Sequence, residues 1–297
     1  MVTQRILRVT ALISAAILLS LPCRSHATSL LYEGFNYTPG TPLNTLNGGT
    51  GFTGAWIDGS GGSHVGFVTV QSENMQYGTL STSGHSIHAA DDPLAGASYM
   101  SRTFTQITGT LGDELWIGFL VRRDSNGGQV PASQNVFELG LIQDDQTEGL
   151  FIGDTLNNND HWALRSMGGD FSAASNTLLS LGQTSFLVAK ISWDAGDNLG
   201  GGFFGENIEL FVNPTIGTTP LTPSASFTGL NLTDISRMYL NTGFAGTWSV
   251  DEIRAGTTYA SVAPAIPEPS PVSLLAIGGL LAGFGIRHRR LSARPVL

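Results

Sequence analysis

Leu115-Trp116-Ile117-Gly118-Phe119-Leu120-Val121 is apolar on odd and even positions alike. Successive side chains of a strand point to opposite faces, so this segment is expected to be a strand buried on both sides. Gly112-Asp113 precedes it and Asp124-Ser125-Asn126-Gly127-Gly128 follows, a turn signal at each end. Outward from it, short strand-like runs alternate with turn residues at 30–37, 98–108, 114–122, 135–143, 150–153, 161–166, 185–193, 207–213, 237–241 and 247–254. In 185–193, Phe186, Val188 and Lys190 share one face, and Leu187, Ala189, Ile191 and Trp193 the other. Ile208, Leu210 and Val212 share a face in the next run, before the turn Asn213-Pro214. No window of helical period survives the glycines, and no internal repeat is visible. The fold class expected is all-β, an antiparallel β-sandwich of jelly-roll type over residues 28–260.

Composition narrows the function. Of 297 residues only 12% are charged, against about 25% in an ordinary domain, and 38 are glycine. Helical bundles and coiled coils need far more Glu, Lys, Leu and Ala. Arg5, Arg8 and Arg24 precede residue 28 with no acid; Arg287, Arg289, Arg290 and Arg294 follow residue 266 with only Glu268. The interval 28–266 therefore holds 7 of the 14 bases and 22 of the 23 acids, a net −15. Such a surface repels phosphate backbones and anionic lipid, so nucleic acid is excluded as a partner. It tolerates neutral sugars and can attract divalent cations.

The two ends read as targeting segments. Arg5 and Arg8 precede an apolar run from Val9 to Leu21, broken by Pro22. Ser25-His26-Ala27 supplies small residues for cleavage, so residues 1–27 are expected to be a signal peptide cut after Ala27. A lipoprotein signal on Cys23 is the competing reading, and Pro22 and Arg24 beside that cysteine fit it poorly. Cleavage after Ala27 leaves no cysteine, hence neither a disulfide nor a thiolate metal site. At the other end, 261–271 is a Pro-rich linker containing Pro267-Glu268-Pro269, and 272–297 combines an apolar run with Arg287-His288-Arg289-Arg290. As a helix, 272–286 is about 22 Å long, enough for marginal spanning of a bilayer with snorkelling arginines. The basic cluster belongs on the cytoplasmic side, leaving 28–266 outside.

This order of Pro-Glu-Pro, transmembrane helix and basic cluster resembles the PEP-CTERM sorting signal of exopolysaccharide-producing Gram-negative bacteria. The resemblance implies recognition at Pro267, Glu268 and Pro269 by an exosortase, with Arg287, Arg289 and Arg290 as the basic stop. The protein would be exported through the inner membrane, held there transiently, and then placed on the outer surface or in the extracellular matrix. A plain C-terminal membrane anchor is the alternative. Further in, Val188-Ala189-Lys190-Ile191-Ser192-Trp193-Asp194, Ile208-Glu209-Leu210-Phe211-Val212-Asn213-Pro214 and the closing stretch Trp248 to Tyr259 look like a concanavalin A-like lectin/glucanase sandwich of laminin-G-like sort. That resemblance implies first and last strands adjacent in one sheet, which suits 30–37 and 247–254.

No catalytic residue is assigned. Glucanases of that fold place Glu, Asp and Glu at alternate positions, with two carboxylates about 5 Å apart. Here Glu206 and Glu209, and Asp251 and Glu252, each fall on opposite faces of a strand. His85-Ser86-Ile87-His88 with Asp91-Asp92 reads as a polar loop more readily than as a metal cluster. Asp144, Asp145, Asp154 and Asp160 are candidate calcium ligands, in loops rich in further Asp, Asn and Glu, with solvated loop acids as the competing reading. Trp56, Trp162 and Tyr77 are candidates for stacking on a sugar, against the usual core role of tryptophan. The expectation is a non-enzymatic module associated with extracellular polysaccharide or binding glycan, preferring neutral or weakly cationic polymers. The alternative is a secreted polysaccharide hydrolase or lyase with a non-standard active site.

Overall fold

A computed structural model describes residues 29–59, 66–90, 98–126, 136–143, 146–155, 160–193, 206–243 and 246–266. The signal segment, Ala27, the Pro267-Glu268-Pro269 motif, the apolar run and Arg287, Arg289 and Arg290 lie outside the described residues. So do Asp144 and Asp145.

Among the described residues the chain forms fifteen strands and one short helix. The strands are β1 (Ser29–Glu33), β2 (Ile57–Asp58), β3 (Val68–Val70), β4 (Ile87–Ala90), β5 (Ser98–Thr108), β6 (Glu114–Ser125), β7 (Phe137–Gln143) and β8 (Gly149–Asp154). They continue as β9 (His161–Ser166), β10 (Ser172–Leu178), β11 (Ser185–Ser192), β12 (Glu206–Val212), β13 (Ala225–Leu230), β14 (Asp234–Thr242) and β15 (Thr247–Gly256), and α1 (Tyr259–Val262) follows. Two antiparallel sheets result. The first runs β13-β12-β11-β6-β15-β4-β3, with β1 also on β15; the second runs β10-β9-β8-β7-β14-β5-β2. As the lectin-like resemblance implies, the first and last strands pair, Ser29 opposite Gly256 and Glu33 opposite Ile253.

The main core lies between the sheets. Leu115, Ile117, Phe119 and Val121 of β6, with Leu187, Ala189 and Ile191 of β11, face Leu139 and Leu141 of β7, Ile152 of β8 and Met238 and Leu240 of β14. At one end Phe119, Phe137, Trp248 and Trp162 form a chain of ring contacts, with centroids 5.6 to 6.4 Å apart. The other side of β6 and β11 is buried as well. Trp116, Leu120, Phe186, Val188 and Phe211 lie under Met75, Leu80, Tyr259, Val262 and Ala263. Trp116 meets Phe211 at 5.8 Å and Tyr259 at 5.6 Å. This third layer is why Leu115–Val121 can be apolar throughout. The layer is tied down by Ser81 N donating to Pro264 O and Ile266 N to Thr79 O, both at 2.8 Å.

Three local expectations are corrected. The strand begun at 114 continues through Ser125, so Asp124 and Ser125 belong to β6 rather than to a turn. The extra length pairs with Thr247 of β15, where the Ser125 and Thr247 hydroxyls share a hydrogen bond of 2.8 Å. The 85–88 polar loop is half strand: Ile87 and His88 open β4, between β3 and β15. A helix, although of four residues, follows β15, because Tyr259 and Val262 are needed as apolar cover.

Asp251 and Glu252 make the edge of β15 usable by two strands. Glu252 has φ of 56°, and the register against β6 shifts there. On the other edge β4 pairs with residues 247–250 and β1 with 253–256. The Asp251 carboxylate accepts from the backbone N of Glu252 at 2.7 Å and of Met75 at 2.9 Å. Burial pushes its pKa up to about 8. These acids shape a bulge, a structural use of the pair.

Candidate functional site

The first sheet's outer face carries the third layer. Over the outer face of the second, among the described residues, no helix or strand packs. Core-facing Leu139, Leu141, Met238 and Leu240 fix the alternation, so Glu138, Gly140 and Ile142 of β7 point outward, as do Arg237, Tyr239 and Asn241 of β14. Register then sets rows across the sheet. One row is Tyr99, Asn241, Glu138, Gly153 and Ala163; the next is Ser101, Tyr239, Gly140, Phe151 and Arg165; a third is Thr103, Arg237, Ile142 and Gly149.

Small residues in the middle of these rows let larger ones lie down. A Cβ on Gly140 would sit 2.7 Å from Phe151 Cε1, so glycine there is what allows the Phe151 ring its place. The Arg165 guanidinium lies 4.6 Å from that ring's centroid, a cation–π contact. It also grips Glu138: Nη2 donates to Oε1 at 2.8 Å and Oε2 at 2.9 Å, and Nε to Oε1 at 3.0 Å. Asn241 Nδ2 adds a bond of 2.9 Å to Oε2. Glu138 is fully buried beneath these partners. Tyr239 Oη donates to Gln146 Oε1 at 3.3 Å, and Tyr99 stays exposed. The face thus offers two tyrosines, a stacked Phe151–Arg165 pair, an amide and a further arginine, Arg237.

Its carboxylate chemistry is limited. Glu138 is held by four hydrogen bonds and has no second carboxylate opposite it in its row. Asp234, at the start of β14, is seven residues from Asn241, about 23 Å along the strand. Paired-carboxylate glycoside hydrolysis needs roughly 5–9.5 Å. Neither pair weighed from sequence makes up the difference. Glu209 pairs with Lys190 at 3.6 Å, while Glu206 is buried elsewhere, its pKa pushed up to about 7 by desolvation.

The structure brings Asp154 and Asp160 together, around Arg123. Both Nη atoms of Arg123 donate to Asp160 Oδ1 at 2.6 Å, and Nη1 is 3.8 Å from Asp154 Oδ2. Arg123 also lies over Trp248 at 5.3 Å. A guanidinium already occupies the space between the two carboxylates, so as described they do not fit a calcium ion, which wants six to eight oxygens. Among the described residues no group of three His, Cys, Asp or Glu is placed to hold a metal. His88 Nδ1 instead lies 3.4 Å from Asp124. Trp56 and Trp162 are core residues, 0% and 1% exposed, and cannot stack on a sugar. Tyr77 is half-buried in the third layer, 5.5 Å from Phe186. The residues of the open face were missed in sequence. The available signal was polar Arg237, Tyr239 and Asn241 alternating with apolar Met238 and Leu240.

No protein-family model matches this sequence, and no curated protein matches it. Solved structures give distant likenesses. An endo-β-1,4-glucuronan lyase from the fungus Trichoderma reesei aligns at 15% identity over 80% of this chain and 99% of its own, with a TM-score of 0.44. The T. cruzi calreticulin globular domain aligns at 10% identity over 80% and 90%, with a TM-score of 0.45. The VIP36 exoplasmic/lumenal domain in its Ca2+/Man-bound form aligns at 10% over 68% and 87%, with a TM-score of 0.38. At these scores the likenesses carry no functional argument.

Proposed function

We propose that this chain is an exported glycan-binding module, a β-sandwich of concanavalin A-like kind, whose binding surface is the outer face of the second sheet. The observation that carries this reading is the juxtaposition on that face of Tyr99, Tyr239, Phe151 and Arg165 with Asn241, around outward glycines. Aromatic rings pack on the C–H faces of sugars, and amides and hydroxyls bond to sugar hydroxyls in either direction. A shallow site of this kind binds weakly, near millimolar to micromolar, and gains retention from repeated contacts on one polymer.

The test is incubation of the full-length chain with a panel of polysaccharides, followed on retention and on reducing ends. Retention without new reducing ends is expected, and Tyr239→Ala should weaken it about tenfold. New reducing ends, abolished by replacing one acidic residue, would instead make the protein a hydrolase or lyase.

Export and sorting belong to the same reading. Cleavage after Ala27, recognition of Pro267-Glu268-Pro269 by an exosortase and arrest at the basic cluster would deliver the module to the cell surface or matrix. Glu268→Ala should leave unprocessed protein in the inner membrane; unchanged mature mass and export in that variant would refute the sorting step.

A further inference from the structure

Seven basic side chains occur between residues 28 and 266. Arg102 pairs with Glu33, Arg122 with Glu73 and Asp124, Arg123 with Asp160, Arg165 with Glu138, Lys190 with Glu114, and Arg254 with Glu252. Arg237 alone has no ion pair and no side-chain hydrogen bond among the described residues. Acids outnumber bases threefold in this interval, so an unpartnered arginine runs against the charge balance of the molecule.

Its position is specific. Arg237 is half-buried on the outward side of β14, level with Thr103 and Ile142. Tyr239 is two residues along on the same face, about 6.6 Å away at the backbone. The acid next to it along the strand, Asp234, spends Oδ1 on Gln106 Nε2 and Thr108 Oγ1, both at 2.8 Å. Partial burial removes some of the water that would screen the guanidinium, and its planar fork matches a carboxylate with two parallel hydrogen bonds.

We propose that Arg237 is the subsite for the carboxylate of a uronic acid unit, an assignment that rests on the glycan-binding reading of this face. A pyranose ring lying against Tyr239 projects its exocyclic carboxylate from the ring edge, and one ring width separates Tyr239 from Arg237. The net −15 of the domain does not oppose this at short range. Charges farther off than about 10 Å are largely screened at 0.1 M salt, whereas a bidentate contact pair is not.

The test uses the full-length chain with oligogalacturonate and oligoglucuronate, their methyl esters, a neutral gluco-oligosaccharide and a sulfated neutral oligosaccharide. At least one free uronate should bind about tenfold more tightly than its ester. Arg237→Gln should erase that difference, bringing the free acid down to the affinity the same variant shows for the ester, and Arg237→Lys should keep only part of it. Equal affinity for acid and ester, a preference that survives Arg237→Gln, or stronger binding of the sulfated sugar would overturn the assignment while neutral-glycan binding still stands. Failure to bind any of the probes would remove the glycan-binding reading itself, and this one with it.

Discussion

At the scale of single residues, the acids of this chain mostly hold structure together. Glu33 is fully buried, yet it accepts from Phe35 N at 2.9 Å, Tyr37 Oη at 2.8 Å and Trp56 Nε1 at 3.2 Å, besides pairing with Arg102. Asp154 is less well served. Burial first, then the nearby Asp160 and Glu138 charges, raise its pKa from 3.8 to about 7 against the opposing pull of Arg123. The folded pKa exceeds the unfolded one, so the folded state holds the extra proton. Stability therefore falls as pH rises from about 4 to 7, and the whole penalty stands above that window. Asp154→Asn should stabilise the protein by on the order of 2–4 kcal/mol at pH 8 and by little at pH 4. Arg123 keeps Asp160 as its partner in the variant. Buried Glu206 and Asp251 slope the same way but cancel in the difference between variant and parent. Denaturant midpoints at the two pH values check this, and a pH-independent difference would contradict it. None of this was legible beforehand. The clustering of loop acids suggested a cation site; of those acids, Asp154 and Asp160 meet the guanidinium of Arg123, supplied by a strand of the other sheet.

At the scale of elements, legibility followed length and alternation. The runs 98–108, 161–166 and 185–193 were readable because each buries a regular set of side chains, and they appear as β5, β9 and β11. The two-residue β2, the three-residue β3 and the polar β10 and β13 carry too little pattern to be seen. They exist because a neighbour offers an unpaired edge. The candidate site was hidden for a related reason. Its rows join β14 to β7 and β8, nearly a hundred residues earlier in the chain, and register between such strands is set by packing and not by local sequence. Once Met238 is placed in the core, the outward direction of Arg237 and Tyr239 follows at once.

At the scale of the whole molecule, the two faces have divided roles, one sealed by a third layer and the other open. The seal also determines how the domain would carry load. Suppose the open face is held by a polymer and the chain is pulled from residue 266. The pull first meets the two backbone bonds to 79–81 and then α1, which can peel away one contact at a time. Behind them lies β15, flanked by β6 on one side and by β1 and β4 on the other, so its bonds resist together. Releasing residues 257–266 frees a segment with an extended span of roughly 33–36 Å, so extension grows by that span less the distance the segment already covers when folded. Pulling with optical tweezers between residue 266 and a handle at exposed Leu178 should show a low-force step shorter than roughly 33 Å before the main rupture. A single rupture without it would show that the tail and the sheet yield as one. In the stepped case Met75, Leu80 and Val262 are more than apolar cover: they close a mechanical fuse, a stretch of slack that is spent before the sandwich is strained.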